Sequence, residues 1–273
     1  MGKFDGVLIC TDLDGTLLGN DKRISDENLE AIARFEREGG YFTFVTGRMP
    51  FFVTDIYRTV RPNAPIGCIN GGGVFDFERN TYLWKRELPR AALELVGAVE
   101  QGVEGVGIQI NTFDRVYFAG ENESMKNFRA VTGVPNLTCH YNDVHEPIAK
   151  VVFGDEEEAR ITQIRDTLLA HPRAGEFDFI RSERTLFEIL PKGSGKGSVL
   201  PVLAEILGIN MARTVAIGDY YNDIAMLRAA GIGVAVENAR PEVKAAADHI
   251  TVSNDEHAIA HVIADLESGR ISF

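Results

Sequence analysis

The sequence lacks several features that would indicate particular classes of protein. Its 273 residues include only three cysteines, Cys10, Cys68 and Cys139, which lie far apart and form no CxxC pair or zinc-type cluster. This usage is not that of a disulfide framework, and it predicts a reducing compartment. There is no run of 18 apolar residues, and acidic residues precede any long apolar region, so neither a membrane span nor a signal peptide is predicted. We therefore expect a cytoplasmic protein.

Basic residues are also outnumbered. The chain has 28 Lys and Arg against 40 Asp and Glu, a formal net charge of −12. A protein of this charge repels nucleic-acid backbones and anionic lipid, so we expect neither nucleic acid nor membrane among its partners. The charge still allows a small anionic substrate in a pocket that is locally basic or holds a metal. With 45% hydrophobic residues the chain can bury a real core.

Short apolar runs alternate with helical patterns at both ends of the chain. Three buried-strand patterns and two helical patterns alternate over residues 6–69, and the same rhythm resumes near Lys196. This order is typical of a doubly wound, mainly parallel, Rossmann-like α/β core. Because proline is tolerated only in the first turn of a helix, Pro201 predicts that the helix near Lys196 begins later than its apolar pattern suggests.

The pattern changes in the middle of the chain, where antiparallel hairpins mix with helices. This change predicts an inserted α+β domain. We place the α/β core at residues 1–82 plus 188–273 and the insert at residues 83–187. A length of 273 residues suits one large domain or two domains of unequal size.

Four polar clusters follow predicted buried strands or begin a helix, which is where ligands bind in open α/β sheets. Two neighbouring carboxylates repel each other unless a cation lies between them, and Mg²⁺ prefers oxygen ligands. A hydroxyl beside a glycine amide, or a lysine at a helix start, favours a phosphate. We therefore expect acid, metal and phosphate groups in one cleft. The clusters are Asp12 with Asp14, Thr46-Gly47-Arg48, Lys196 between two glycines, and Gly218-Asp219-Tyr220-Tyr221-Asn222-Asp223.

Each cluster alone also has a simpler explanation. Aspartate pairs are common in turns, Thr46 can simply end a strand, Lys196 can be a solvated lysine, and Asp223 can cap a helix. The four clusters together, in this order, favour the functional explanation.

Two other templates fail at defined positions. A calcium loop starting at Asp12 needs Gly at position 17 and Glu at position 23, where the chain has Leu17 and Arg23. A phosphate-binding P-loop needs Gly at position 190 and Ser or Thr at position 197, where the chain has Leu190 and Gly197.

In combination, the four clusters resemble motifs one to four of the haloacid dehalogenase-like hydrolase superfamily. The insert and the tail Gly233-Val-Ala-Val-Glu-Asn238 resemble its Cof-type subfamily, which carries a type IIB cap. The resemblance implies a Mg²⁺-dependent phosphatase that acts on small phosphorylated metabolites, in particular sugar phosphates. It also implies that the insert is a cap that closes over the reaction and chooses the leaving group.

The resemblance further implies roles for individual residues. Asp12 would be the nucleophile that forms an aspartyl-phosphate, and Asp14 the general acid and then the general base. Mg²⁺ would be bound by the Asp12 and Asp219 carboxylates and the Asp14 backbone carbonyl, supported by Asp223. The phosphate and substrate would be held by Lys196 together with Thr46, Gly47, Arg48 and Asn222.

Some choices stay open at this point. Lys192, four residues before Lys196, competes with it for the phosphate, and we choose Lys196 because the helical pattern starts beside it. A hexose phosphomutase of the same cap class and a non-catalytic sensor of Mg²⁺ and sugar phosphate are the alternative functions. The assembly is expected to be a monomer or a homodimer.

Overall fold

The computed structural model describes residues 2–273, which form two compact units. The first unit extends to Lys85 and resumes over Gly195–Phe273, and the second is Arg86–Ser194. The predicted boundaries, after residues 82 and 187, fall slightly earlier than these divisions. The strand Leu186–Pro191 pairs with strands of the insert, so a boundary after residue 187 would cut it.

The regular elements alternate along the chain. The strands are β1 (Leu8–Thr11), β2 (Tyr41–Phe44), β3 (Ile66–Cys68), β4 (Gly73–Asp76), β5 (Thr81–Lys85), β6 (Gly107–Thr112), β7 (Val116–Gly120), β8 (Leu137–Thr138), β9 (Ile148–Gly154), β10 (Phe177–Glu183), β11 (Leu186–Pro191), β12 (Thr214–Gly218), β13 (Ile232–Ala235) and β14 (His249–Ile250). The helices are α1 (Asp26–Arg37), α2 (Thr54–Val60), α3 (Ala92–Gly102), α4 (Glu123–Thr132), α5 (Glu158–Ala170), α6 (Lys196–Leu207), α7 (Ile224–Ala229), α8 (Pro241–Lys244) and α9 (Ala258–Ser268).

A parallel sheet of strand order β14-β13-β12-β1-β2 forms the centre of the first unit. An isolated parallel bridge between Val45 and Gly67 brings β3 beside β2. The chain thus builds β2 and β3 on one side of β1 and the later strands on the other, so the strand order reverses between β1 and β12. This is the doubly wound arrangement that the sequence predicts, and its switch point is the usual place for a ligand.

Helix α6 begins at Lys196, so the expected later start is wrong. Pro201 lies inside the helix and cannot donate to the Gly197 carbonyl. The first turn forms nevertheless, because the Ser198 amide donates to the Gly195 carbonyl at 2.8 Å and the Ser198 hydroxyl donates to the Gly71 carbonyl at 3.1 Å. Buried apolar side chains on the same helix add packing that outweighs one missing hydrogen bond.

The second unit is the predicted α+β insert. Its sheet has the order β10-β11-β9-β6-β7-β8 and is antiparallel except where β8 joins β7. Apolar side chains from the sheet and from α3 and α5 form one buried hydrophobic cluster. Among the described residues, none of the helices has the length and apolar character needed to cross a membrane.

Candidate active site

The predicted clusters of the first unit meet at the carboxyl end of its parallel sheet. Asp12 follows β1 and Asp219 follows β12, the two strands that flank the switch point. The Asp12 backbone amide donates to the Ile217 carbonyl at 2.8 Å, which continues the strand pairing into the site. The two carboxylates are therefore brought together by backbone hydrogen bonds of the sheet.

Lys196 lies between two of the carboxylates. Its Nζ is 2.6 Å from Asp12 Oδ1 and 2.7 Å from Asp223 Oδ1. Lys196 is 1% exposed, Asp12 6% and Asp223 0%, so these charges are almost completely removed from water. Buried charges persist only when they are paired and hydrogen-bonded, and this arrangement supplies both.

Burial changes the proton affinity of these groups. It raises the pKa of the Asp12 carboxyl well above its usual range, although the Lys196 ammonium lowers it in part. Burial, with the nearby charge of Asp223, raises the pKa of Asp219 to about 6. Burial alone would lower the pKa of Lys196, but the Asp12 and Asp223 carboxylates raise it above its ordinary value. Lys196 is therefore positively charged at neutral pH.

Asp223 is held by the turn that follows β12. Besides Lys196, it accepts hydrogen bonds at Oδ2 from the backbone amides of Asp219 (3.1 Å) and Tyr220 (3.0 Å). Gly218 is needed here, because a Cβ at that position would lie 2.5 Å from the Asp223 Cβ. The turn thus fixes a carboxylate that organises both Lys196 and the backbone of Asp219.

The three carboxylates fit a divalent cation. Oxygen atoms of Asp12, Asp219 and Asp223 all lie within 4.8 Å of one another. When ionised they carry two more negative charges than Lys196 balances, which is the charge that one divalent ion neutralises. The donors are all oxygen, as hard cations require. Asp219 is oriented further by Thr16, whose hydroxyl donates to Asp219 Oδ1 at 2.9 Å.

Asp14 is in a different environment. Its side chain is 38% exposed, and its carboxylate forms ion pairs with Arg48 and Lys22. It is not one of the clustered carboxylates. Arg48 Nε donates to Asp14 Oδ2 at 3.0 Å and Arg48 Nη2 to Asp14 Oδ1 at 2.7 Å, while Lys22 Nζ lies 3.1 Å from Oδ1. The two aspartates of the first motif are therefore set apart by burial and by partner.

The second motif meets the fourth through Asn70, which is not among the predicted site residues. Asn222 Nδ2 donates to Asn70 Oδ1 at 3.1 Å, and Asn222 Oδ1 is buried with no hydrogen-bond donor among the described residues. A Cβ on Gly47 would lie 2.8 Å from Asn70 Oδ1, so any larger residue there would displace the Asn70 side chain. Thr46 is buried, and its hydroxyl accepts from the Arg48 amide at 3.2 Å. The sequence signal for Asn70 is its place two residues after the end of β3.

Two further asparagines, which are not among the predicted site residues, fasten the loop that carries Asp12 and Asp14. Asn238 Nδ2 donates to the Gly15 carbonyl at 2.8 Å, and Asn254 Nδ2 donates to the Leu18 carbonyl at 2.9 Å. The Asn254 amide in turn donates to Asn238 Oδ1 at 2.9 Å. The tail of the chain thus holds the loop at two carbonyls.

Lys192 has a separate partner. It belongs to the second unit, where its Nζ lies 3.0 Å from Asp178 Oδ1 and its side chain is 62% exposed. Lys196 is the lysine that lies against Asp12.

Comparison with known proteins shows the family of the chain. Residues 9–263 match the family model of the haloacid dehalogenase-like hydrolases, and the chain belongs to this family. It is 30% identical to the 5-amino-6-(5-phospho-D-ribitylamino)uracil phosphatase YwtE of Bacillus subtilis, over 96% of this chain and 98% of the relative. The chain is accordingly a phosphatase, and the family predicted from the four motifs is confirmed.

Solved structures share the fold. A haloacid dehalogenase-like hydrolase from Bacteroides thetaiotaomicron superposes with a TM-score of 0.82 at 26% identity, covering 95% of this chain and 99% of the other. A HAD subclass IIB sugar phosphatase also gives a TM-score of 0.82, at 23% identity, covering 97% of this chain and 100% of the other, and this likeness shows the fold alone. The predicted α/β core with an inserted α+β domain is confirmed.

Proposed function

We propose that the protein is a Mg²⁺-dependent phosphatase that hydrolyses small phosphorylated metabolites, above all sugar phosphates, through an aspartyl-phosphate on Asp12. The observation that carries the proposal is the buried Lys196, which touches Asp12 at the edge of a three-carboxylate cluster. A cation and a nucleophilic carboxylate held together in this way can receive a phosphoryl group whose charge needs neutralising.

In the first step, a carboxylate oxygen of Asp12 attacks the phosphorus of the ester. The bond between phosphorus and the leaving oxygen breaks, and Asp14 gives its proton to that oxygen, so that the alcohol leaves. Phosphorus stays bound to Asp12. Asp14 is partly exposed and Asp12 is buried, so the two carboxyl groups are not equivalent and can take different roles.

In the second step, ionised Asp14 takes a proton from a water molecule, whose oxygen attacks phosphorus. The bond from phosphorus to Asp12 breaks, which releases inorganic phosphate and restores the Asp12 carboxylate. Asp14 is protonated again and is ready for the next ester. One carboxyl group thus acts as acid and then as base.

The phosphoryl oxygens would be held by Lys196, by the Thr46 hydroxyl and the Gly47 amide, and by Asn222. The ion would be held by the carboxylates of Asp12 and Asp219 and the Asp14 carbonyl, with Asp223 in support. A bound Mg²⁺ ion offsets the negative charge of the phosphoryl group. The all-oxygen donor set supports Mg²⁺ over metals that prefer nitrogen or sulfur ligands.

The substrate class is supported by the relatives. YwtE is named as the phosphatase of 5-amino-6-(5-phospho-D-ribitylamino)uracil, whose phosphate is carried on a ribityl group. All three cysteines are free, which supports the cytoplasmic location that we propose. The specificity role of the insert, predicted as residues 83–187, and the oligomeric state stay predictions.

The test is release of inorganic phosphate from a broad panel of phosphorylated metabolites, with Mg²⁺ and with EDTA. The proposal predicts metal-dependent release that is greatest for sugar phosphates. Isomerised sugar phosphate without free phosphate would instead indicate a phosphomutase. A saturable shift in thermal stability with a sugar phosphate, but no turnover of any compound, would indicate a sensor.

A further inference from the structure

We propose that Arg48 is a positioning residue that holds the Asp14 carboxyl for its proton transfers, and is not a ligand of the substrate phosphate. The inference rests on the proposed function, in which Asp14 is the acid and the base. It replaces the phosphate-binding role expected of Arg48 from the second motif.

The contact between the two side chains is bidentate. Arg48 presents Nε to one carboxylate oxygen of Asp14 (3.0 Å) and Nη2 to the other (2.7 Å). A guanidinium fork fixes the plane of a carboxylate as well as its distance, which a single charge cannot do. Nε and Nη2 are directed at Asp14, so these two nitrogens are not presented to a phosphate.

The backbone of Arg48 is itself fastened. Its amide donates to the Thr46 hydroxyl at 3.2 Å, and its carbonyl accepts from the Ile69 amide at 3.1 Å. These hydrogen bonds tie Arg48 to the ends of two strands of the core. The guanidinium therefore projects from a rigid base, as a positioning group must.

Asp14 needs such a partner because burial does not hold its side chain. The Asp12 carboxylate is enclosed and fixed by Lys196, whereas the Asp14 side chain is 38% exposed. The other cation on Asp14 is Lys22, which makes one contact through a side chain that is 67% exposed. Of these two cations, only Arg48 contacts both oxygens, so only Arg48 can fix the plane and direction of the Asp14 carboxyl group.

The leaving group of the ester distinguishes a residue that positions the acid from a residue that binds the phosphate. An alkyl phosphate expels a strongly basic alkoxide, which needs the proton of Asp14 as it leaves. p-Nitrophenyl phosphate expels a stable phenolate, which leaves without a proton. A misplaced Asp14 therefore slows transfer from the first ester to Asp12 and leaves transfer from the second unchanged, whereas loss of a phosphate ligand slows both.

The experiment measures kcat/KM for a hexose 6-phosphate and for p-nitrophenyl phosphate, since this ratio reports the steps up to formation of the aspartyl-phosphate. The variants are Arg48→Ala, Arg48→Lys, Asp14→Asn and the control Arg58→Ala. Arg58 is a surface arginine of the same unit, paired with Asp55 at 3.3 Å and 73% exposed. Circular dichroism and thermal unfolding check that each variant is folded.

We expect Arg48→Ala to lower kcat/KM for the hexose phosphate by about tenfold or more, with less than about a threefold change for p-nitrophenyl phosphate. Arg48→Lys should show the same selectivity, because lysine keeps the charge but loses the fork. Asp14→Asn should show it more strongly, and Arg58→Ala should match the wild type.

The inference would be overturned if Arg48→Ala lowered kcat/KM equally for both esters and Arg48→Lys restored it. Arg48 would then be a ligand of the substrate phosphate. The inference would also be overturned if Arg48→Ala left kcat/KM unchanged for both esters while Asp14→Asn lowered it mainly for the hexose phosphate. The proposed function would still stand. A lack of selectivity in Asp14→Asn itself would instead overturn the proposed function, and the inference with it.

Discussion

The Lys196 ammonium lies 2.6 Å from Asp12 Oδ1, and both side chains are almost completely buried. The pair joins the start of α6 to the end of β1, across 184 residues of sequence. Each charge stabilises the other, because an uncompensated buried charge is strongly unfavourable, and Lys196 is also paired with Asp223. The proposed nucleophile, Asp12, and its counter-ion, Lys196, therefore depend on each other for their burial.

The first prediction concerns the choice between two lysines. Lys196→Met removes the only ammonium that contacts both Asp12 and Asp223 among the described residues, and should lower the free energy of unfolding by about 3–5 kcal/mol. It should also reduce phosphate release by at least about 100-fold, as loss of a group that stabilises developing charge does. Urea denaturation and a phosphate-release assay measure the two effects.

The control is Lys192→Met, which removes an exposed ion pair with Asp178. It should unfold within about 1 kcal/mol of the wild type and retain its activity. If Lys192→Met loses activity and Lys196→Met keeps it, the assignment of the phosphate-binding lysine is wrong.

The second prediction concerns the ion. Mg²⁺ should raise the melting temperature of the metal-free protein, because binding to the folded state relieves repulsion among the carboxylates. Asp219→Asn should weaken this shift, since it removes one of the three clustered carboxylates. Differential scanning fluorimetry over a Mg²⁺ titration measures it, with exposed Asp114→Asn as the matched substitution. An unaltered Mg²⁺ response in Asp219→Asn would place the ion elsewhere.

The third prediction concerns space beside Asp219. Gly15 has φ +82°, and a Cβ there would lie 2.6 Å from Asp219 Oδ2. Gly133 has a similar φ of +69°, but a Cβ there meets no atom of the described residues within 4 Å. Alanine at either position should cost about 1–2 kcal/mol from backbone strain, while only Gly15→Ala should also displace Asp219 and reduce turnover. Comparable turnover in the two variants would refute this account of Gly15.

The fourth prediction concerns the tail. Asn254→Ala leaves the buried Leu18 carbonyl without its donor and should lower the free energy of unfolding by about 1–3 kcal/mol. It should also lower kcat, because the loop that carries Asp12 and Asp14 is then less firmly held. Exposed Asn136→Ala should change stability by less than about 0.5 kcal/mol. Loss of stability with an unchanged kcat would show that Asn254 supports the fold but not the site.

The core strands and the places of the four motifs could be predicted from the sequence. A buried parallel strand is a local run of apolar residues, and each motif lies at the end of such a strand or at the start of a helix. It could not supply Asn254, whose partner Leu18 lies 236 residues away, or the contact from Asn222 to Asn70. Such contacts depend on how distant helices, strands and loops pack against one another, and the hydrophobic periodicity of the sequence does not predict that packing. The start of α6 was missed for a related reason, since packing outweighed the local effect of Pro201.

The central claim is that Asp12 carries the phosphoryl group, and it is tested most directly by Asp12→Asn. The measurement is release of phosphate from the best sugar phosphate in the presence of Mg²⁺. It compares the wild type with Asp12→Asn and with the surface control Asp114→Asn. The account predicts that Asp12→Asn is folded and releases no phosphate above background, while Asp114→Asn matches the wild type. Undiminished release by Asp12→Asn would contradict the mechanism.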